Sequence, residues 1–252
     1  MKEKEWNEIS ENYYEEILSP IKNSLKSPLF YDIKQIKDKD KKSVIDLGCG
    51  LGELEKLLSK EFKEVVAIDF SEEMIKSAQE KNKALQNVEF QVKDISSMPE
   101  FHNKFDVAIS INSIIVPDLN KIDQMFSEVN NTLKKDGKFI CILPSMEIYA
   151  YQAMLIAQKQ GKKIKDIEKL REKAKEFIND EEHDFLLGVT DFEGKQKYYY
   201  RFEILWRLKK AGFKNIEIKK VLYSWKEFAE AGQKNFPGED PPWDWYVICE
   251  KS

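Results

Sequence analysis

The sequence lacks any apolar run near the about 20 residues that a membrane-spanning helix needs, and Met1–Glu5 is not followed by an apolar signal segment. Cysteine and histidine are scarce: His102 and His183 are far apart, and no Cys-x-x-Cys pair occurs. We therefore expect no metal site, no membrane contact and a cytoplasmic location. The three cysteines are predicted to be buried thiols in a reducing compartment; they are Cys49, Cys141 and Cys249.

The sequence also lacks an excess of positive charge. Lys and Arg total 41 against 45 Asp and Glu, which leaves a net charge of -4. Such a chain has no long-range attraction for a polyanion, so nucleic acid is a less favoured partner than a small molecule. Hydrophobic residues at 42% and aromatics at 12% exclude a wholly disordered chain. Oligomeric state is left open.

Short apolar runs alternate with segments of helical period, which is typical of an α/β fold with a doubly wound, mostly parallel sheet. A helix over 201–211, the stop at Gly212 and two late strands predict an antiparallel C-terminal hairpin at the sheet edge. The predicted strands of the parallel part are Ser43–Leu47, Val65–Asp69, Val88–Val92, Phe105–Ile111 and Lys138–Leu143, and the helices between them cover 53–58, 72–84 and 122–133.

The pattern divides the chain into four segments. Residues 1–40 are predicted to be an N-terminal helical arm, and 41–145 a Rossmann-like core that binds a cofactor. Residues 146–200 lack a strand signal and carry an apolar stripe on a Lys-rich helix, so we predict a helical lid inserted over the substrate. Residues 201–252 complete the core sheet. The run Tyr198–Arg201 predicts either an acceptor pocket or a segment with alternate rings buried.

The most informative segment is a strand that runs into a glycine-rich turn, Val44–Glu53. Such a turn presents backbone N–H groups at the carboxyl edge of a sheet. A dinucleotide fingerprint needs glycine at position 53, where this chain has Glu, and no Gly-Lys-Ser/Thr follows for a Walker loop. Asp46 and Glu53 flank the glycines and favour a cationic ligand over a pyrophosphate. S-adenosylmethionine, with its sulfonium and ammonium groups, is such a ligand.

Two further strands end in an acidic residue. Asp69 follows the second strand and can accept both hydroxyls of a ribose. Asp94 follows the third strand and could accept from an adenine amino group, while the next backbone N–H meets a ring nitrogen. Capping or surface roles are the alternatives for these acids. Their joint placement favours an adenosine site.

With these motifs the chain resembles the class I S-adenosylmethionine-dependent methyltransferases over Ser43–Leu143. Asp46–Gly52 resembles the family's glycine motif, Asp69-Phe70-Ser71-x-x-Met74 its ribose segment and Asp94-Ile95 its adenine segment. The resemblance implies a seven-stranded sheet, and Trp6-x-x-Ile9-x-x-x-Tyr13 resembles an arm that closes over the cofactor. The implied cofactor-binding residues are Tyr13, Asp46, Gly48, Cys49, Gly50, Gly52, Asp69, Phe70, Met74, Asp94, Ile95 and Ile111.

We therefore predict an S-adenosylmethionine-dependent methyltransferase that acts on a small molecule and releases S-adenosylhomocysteine. Methyl transfer of this kind needs alignment and exclusion of water, and its thioether leaving group needs no proton. No catalytic base can be selected from spacing alone, so the catalytic residues are left unassigned. The alternatives are a methyltransferase of tRNA or protein, a silent S-adenosylmethionine-binding protein and an NAD-dependent oxidoreductase.

Overall fold

A computed structural model describes residues 19–178, 182–191, 194–230 and 235–252. Its main sheet has eight strands in the order β1-β10-β11-β6-β5-β2-β3-β4. The strands β2 to β6 pair in parallel, and β11, β10 and β1 continue the sheet in antiparallel pairs. Their bounds are β1 Ser24–Lys26, β2 Ser43–Leu47, β3 Glu64–Asp69, β4 Val88–Val92, β5 Phe105–Ile111, β6 Leu133–Leu143, β10 Phe213–Tyr223 and β11 Trp243–Lys251.

Helices cover both faces of the sheet. Residues alternate along each buried strand, so in β6 Phe139 and Cys141 pack into one hydrophobic cluster, while Ile140 and Ile142 pack into the other. This two-sided burial confirms the doubly wound prediction. The helices are α1 Leu29–Gln35, α2 Glu55–Glu61, α3 Glu72–Lys81, α4 Leu119–Thr132, α5 Glu147–Gln160, α6 Ile167–Ile178, α7 Arg201–Lys210 and α8 Trp225–Glu230.

The sheet differs from the predicted one by a single strand. The predicted antiparallel hairpin is present, with β10 paired to β11 and β11 inserted beside β6. The eighth strand is β1, which pairs with the outer edge of β10. A strand of three residues is too short to show an alternating pattern, so it could not be predicted from periodicity.

The insertion contains more than the predicted helices. After α5 and α6, the strands β7 (His183–Asp184), β8 (Val189–Asp191) and β9 (Lys195–Lys197) form a small antiparallel sheet. The prediction that residues 146–200 lack strands was therefore wrong, because these strands are two or three residues long. The division of the chain into four segments stays a prediction. Tyr13 and the rest of the predicted arm up to residue 18 lie outside the described residues.

Ser71 sets the start of α3, next to the end of β3. Its side chain accepts a hydrogen bond from the Met74 N–H at 3.1 Å, as an N-cap does. Glu72 and Glu73 follow in the first turn, where negative charge is favourable. Within the described ranges, no helix is both long and apolar enough to cross a membrane.

Candidate functional site

The order of the parallel strands reverses between β2 and β5, and a cleft opens at the carboxyl ends of these two strands. Open α/β sheets bind their ligands at this kind of position. The cleft contains about 500 Å³ of space continuous with solvent. Its lining combines the turn after β2, the end of β5 and the first described residues of the predicted arm: Ser19, Pro20, Ile21, Asp46, Gly48, Cys49, Leu51, Glu53, Leu54, Ile111 and Asn112.

The turn after β2, residues 48–52, is here named the glycine loop. Gly48 and Gly52 both have a φ of +75°, in the left-handed region that side chains disfavour. A Cβ on Gly48 would lie 2.2 Å from the Ser113 Cβ, and one on Gly52 would lie 2.4 Å from the Asn82 Nδ2. Backbone conformation and close contact both require glycine at these two positions.

Two polar side chains from other elements hold the glycine loop in place. Ser113 Oγ donates to the Leu47 carbonyl oxygen at 2.6 Å and also lies 2.6 Å from Ser110 Oγ. Asn82, which follows α3, donates from Nδ2 to the Gly52 carbonyl oxygen at 3.0 Å. These supporting roles of Ser113 and Asn82 were not predicted, because no local sequence pattern indicates that a side chain hydrogen-bonds to a distant loop.

A pair of buried carboxyl groups lies behind the glycine loop. Asp46 is 3% exposed and Glu55, in the first turn of α2, is fully buried. Burial raises the pKa of Asp46 to about 7. Burial and the negative charge of Asp46 also raise the pKa of Glu55. The N–H groups of Leu54 and Glu55 interact with the Glu55 carboxylate and act to lower its pKa, but burial outweighs them. A proton shared between Asp46 and Glu55 relieves the repulsion between the two carboxyl groups.

Asp69 contacts the glycine loop directly. Its Oδ2 accepts from the Gly50 N–H at 3.1 Å and its Oδ1 accepts from the Ser71 N–H at 2.9 Å. Burial raises the pKa of Asp69, although these two hydrogen bonds act to lower it. Each carboxylate oxygen can accept a second hydrogen bond, which leaves capacity for two ligand hydroxyls. The structure thus brings Asp46, the glycine loop and Asp69 together.

The other predicted residues lie further along the same edge. Met74 and Ile95 are buried, and Phe70 is 37% exposed. Asp94 is exposed and pairs with Lys121 at 2.8 Å. Its partial burial acts to raise its pKa, but hydrogen bonds from Lys121 and Ser96 outweigh that effect and lower the pKa. Neither Asp94 nor Ile95 lines the cleft, so a role in binding an adenine stays a prediction for them.

Glu53 does not stand as a free anion beside the cleft. Lys22 Nζ lies 2.7 Å from its Oε1, and Ser19 Oγ donates to its Oε2 at 3.2 Å. Through Ser19 and Lys22, these contacts attach the predicted arm to Glu53, the residue after the glycine loop. The charge that remains for a ligand is therefore the buried Asp46–Glu55 pair and Asp69, with no cation among the described residues against Glu55.

These features together define what fits the site. The glycine loop leaves room for a ligand where side chains would block it. The buried carboxyl pair makes a cation favourable there, and a diphosphate unfavourable. An adenosyl sulfonium compound with an ammonium group carries the positive charge that this carboxyl pair favours.

Comparison with known proteins gives a consistent family. Residues 38–205 match the family described as methyltransferase domain. The chain is 30% identical over 187 residues to the demethylmenaquinone methyltransferase of Staphylococcus aureus (strain JH9), and the match covers 69% of both chains. A Geobacillus sp. (strain WCH70) relative that is named for methyltransferase activity is 34% identical over 107 residues. That match covers 42% of this chain and 43% of the relative, so the chain spans less than half of that relative's length.

Solved structures share the fold. A Pyrococcus horikoshii protein matches with a TM-score of 0.61 and 24% identity, over 89% of this chain and 88% of the other. A magnesium protoporphyrin IX methyltransferase from Synechocystis, solved with S-adenosylmethionine bound, matches with a TM-score of 0.54 and 15% identity. The second match covers 89% of this chain and 76% of the other. At these identities the structures support the fold alone.

Proposed function

Because this chain belongs to the class I methyltransferase family, whose cofactor is S-adenosylmethionine, we propose that it transfers a methyl group to a small-molecule acceptor. The observation that carries the proposal is the buried Asp46–Glu55 carboxyl pair behind a glycine loop at the sheet's switch point. When bound, S-adenosylmethionine supplies an electrophilic methyl group on a positively charged sulfur. The chain supplies a cleft in front of a carboxyl pair that favours positive charge.

The predicted site residues divide among the parts of the cofactor. In our proposal, Gly48, Cys49, Gly50 and Gly52 form the loop that receives the methionine part, with Asp46 behind it and Ile111 across the cleft. Asp69 accepts the ribose hydroxyls, and Phe70, Met74, Asp94 and Ile95 surround the adenine. Tyr13 lies outside the described residues, and we propose from the family resemblance that it contacts the cofactor.

Three observations support a small acceptor. The Staphylococcus relatives are named for methyl transfer to demethylmenaquinone, which is a small molecule. The chain has no positive excess with which to hold a nucleic acid. The insertion places α5 next to the end of β6, beside the cleft. The three cysteines of the chain are buried free thiols, which fit a reducing compartment. We therefore propose that the activity is cytoplasmic.

The experiment is a search for methylated product. The protein is incubated with S-adenosylmethionine that carries a labelled methyl group. Three parallel reactions contain a metabolite extract, RNA or a protein extract as the source of the acceptor. We expect label in the metabolite fraction. Label in RNA or protein instead would replace the small acceptor with a macromolecule. Tight cofactor binding with no label in any fraction would identify a silent binding protein.

A further inference from the structure

A second polar cluster lies at the same edge of the sheet, on the β6–β11 side of the cleft. Asp244, the second residue of β11, is its centre. Tyr223 OH donates to the Asp244 Oδ2 at 2.7 Å, and the Ser145 N–H donates to its Oδ1 at 3.3 Å. The Asn112 side chain also hydrogen-bonds to Asp244. Because Asn112 lines the cofactor cleft, Asp244 is one side chain away from it.

The cluster contains several buried polar atoms that lack a hydrogen-bond partner among the described residues. An unsatisfied buried polar group is destabilising, so such atoms are expected to be satisfied by water or a ligand. Two of the atoms are N–H donors, one is a hydroxyl and one is an acceptor oxygen. They are Gln152 Nε2, Trp243 Nε1, Ser145 Oγ and Asn112 Oδ1.

Aromatic rings lie near this polar centre, and two of them, Tyr149 and Tyr198, are close enough for the charge of Asp244 to act on them. Tyr149 lies 5.6 Å from Tyr198 and 4.1 Å from His183, measured between ring centroids. Tyr151, two residues further along α5, lies 5.6 Å from Trp243. Of the run Tyr198–Arg201, only Tyr198 belongs to this cluster, because Tyr199 is buried and donates to the Ile114 carbonyl oxygen at 2.6 Å. Tyr151 and Tyr198 are only half-buried, so a planar group can stack against them.

We propose that this acceptor cluster, defined as Asn112, Ser145, Tyr149, Gln152, Tyr198, Tyr223, Trp243 and Asp244, binds a planar acceptor that carries a hydroxyl and a carbonyl, and that Asp244 receives the hydroxyl proton. The inference rests on the proposed methyltransferase function. The acceptor O–H bond breaks and its proton passes to the Asp244 carboxylate while the oxygen bonds to the methyl carbon. The electron pair of the broken sulfur–methyl bond stays on sulfur.

The protonation behaviour of Asp244 suits this role. Burial raises its pKa to about 6, while the hydrogen bonds from Tyr223, Ser145 and Asn112 act to lower it. A carboxyl with this pKa is mostly ionised at pH 7 and is a stronger base than an ordinary aspartate. The charge of Asp244 also helps to raise the pKa of Tyr149, Tyr198 and Tyr223, and Glu182 acts on Tyr149 as well.

The first test uses two compounds and two variants. Para-hydroxyacetophenone carries both groups, and acetophenone lacks only the hydroxyl. Calorimetry with S-adenosylhomocysteine present should detect binding of the phenol but at least about tenfold weaker binding of acetophenone. In Asp244→Asn the two compounds should bind with similar affinity. The rate of methyl transfer to the phenol should fall about 100-fold. Asp240→Asn, an exposed acid in the segment before β11, should behave as the unmodified chain.

The second variant is Tyr223→Phe, which removes one hydrogen bond to Asp244. Since that bond lowers the pKa of Asp244, the acidic limb of the kcat profile should move to higher pH. An unshifted limb, equal binding of both compounds, or full activity of Asp244→Asn would overturn the assignment. Failure of the proposed function shows differently: the unmodified chain would methylate only RNA or protein, or nothing, whichever variant is used.

Discussion

The carboxyl edge of the sheet has two halves that are built differently. The cofactor half, at β2, β3 and β4, draws its main residues from one continuous stretch between Asp46 and Ile95. The acceptor half, at β5, β6, β10 and β11, draws on positions from Asn112 to Asp244. Both halves contain a buried carboxyl whose pKa is raised by burial. A site made from one stretch can be recognised in a sequence, whereas one assembled from distant segments cannot.

The largest effect should come from Gly48→Ala in the cofactor half. The new Cβ would meet Ser113 at 2.2 Å, at a φ of +75°. We expect the free energy of unfolding to fall by about 3 kcal/mol and cofactor binding to be lost. Denaturant unfolding measures this. Gly238→Ala is the control, since its φ is +88° but no atom lies within 4 Å; equal losses in both variants would deny any role to the contact with Ser113.

Asp69→Ala should weaken binding of S-adenosylhomocysteine by about 1–3 kcal/mol, because two ribose hydroxyls lose their acceptor. Isothermal calorimetry measures the change. Asp244→Asn, in the acceptor half, should leave this affinity within about twofold. Unchanged affinity in Asp69→Ala would remove the ribose assignment, and an equal loss in both variants would erase the distinction between the halves.

The pH dependence of cofactor affinity should be a property of the cofactor half. A cationic ligand favours ionised Asp46, whose pKa lies near 7 before binding, so binding releases a proton. S-adenosylmethionine should bind about fivefold more weakly at pH 6 than at pH 7. In Asp46→Asn the titrating carboxyl is gone, so the pH dependence should flatten. A flat profile in the unmodified chain would contradict the role of the pair.

The unliganded protein should show the opposite trend in stability. The folded pKa of Asp46 is above its usual 3.8, so the native state binds more protons than the unfolded state between these values. The free energy of unfolding contributed by Asp46 is therefore lost as pH rises from about 4 to about 7. Asp46→Asn should make this slope shallower, as followed by denaturant unfolding at several pH values, and the remaining slope comes from Glu55, Asp69 and Asp244, whose pKa values are also raised. An unchanged slope in the variant would contradict the contribution of Asp46.

The smallest effect is expected from Lys121→Ala. Its ion pair with Asp94 is exposed, and such pairs contribute about 0–1 kcal/mol. We expect unfolding and calorimetry to show a change below about 0.5 kcal/mol in both stability and affinity. A tenfold change in affinity would instead mean that Asp94 needs Lys121 for its orientation, and would make the β4 end more important than the structure suggests.

How far the sequence predicted the structure follows the same division. Strands β2 and β4 have the predicted bounds, because each is a short run between clear turn signals. β1 and β7 are too short for a periodic signal. Asp244 could not be selected, since its position beside Ser145 depends on the antiparallel register that pairs Trp245 with Leu143. The orphaned Gln152 side chain is likewise visible only after α5 is packed.

The central claim is that the carboxyl pair and the glycine loop receive an adenosyl sulfur compound and not a dinucleotide. Calorimetric titration with S-adenosylhomocysteine and, in parallel, with NAD tests it most directly. We expect saturable one-to-one binding of S-adenosylhomocysteine, weakened by Asp69→Ala, and no heat of binding for NAD. Binding of NAD with none for S-adenosylhomocysteine would contradict the account.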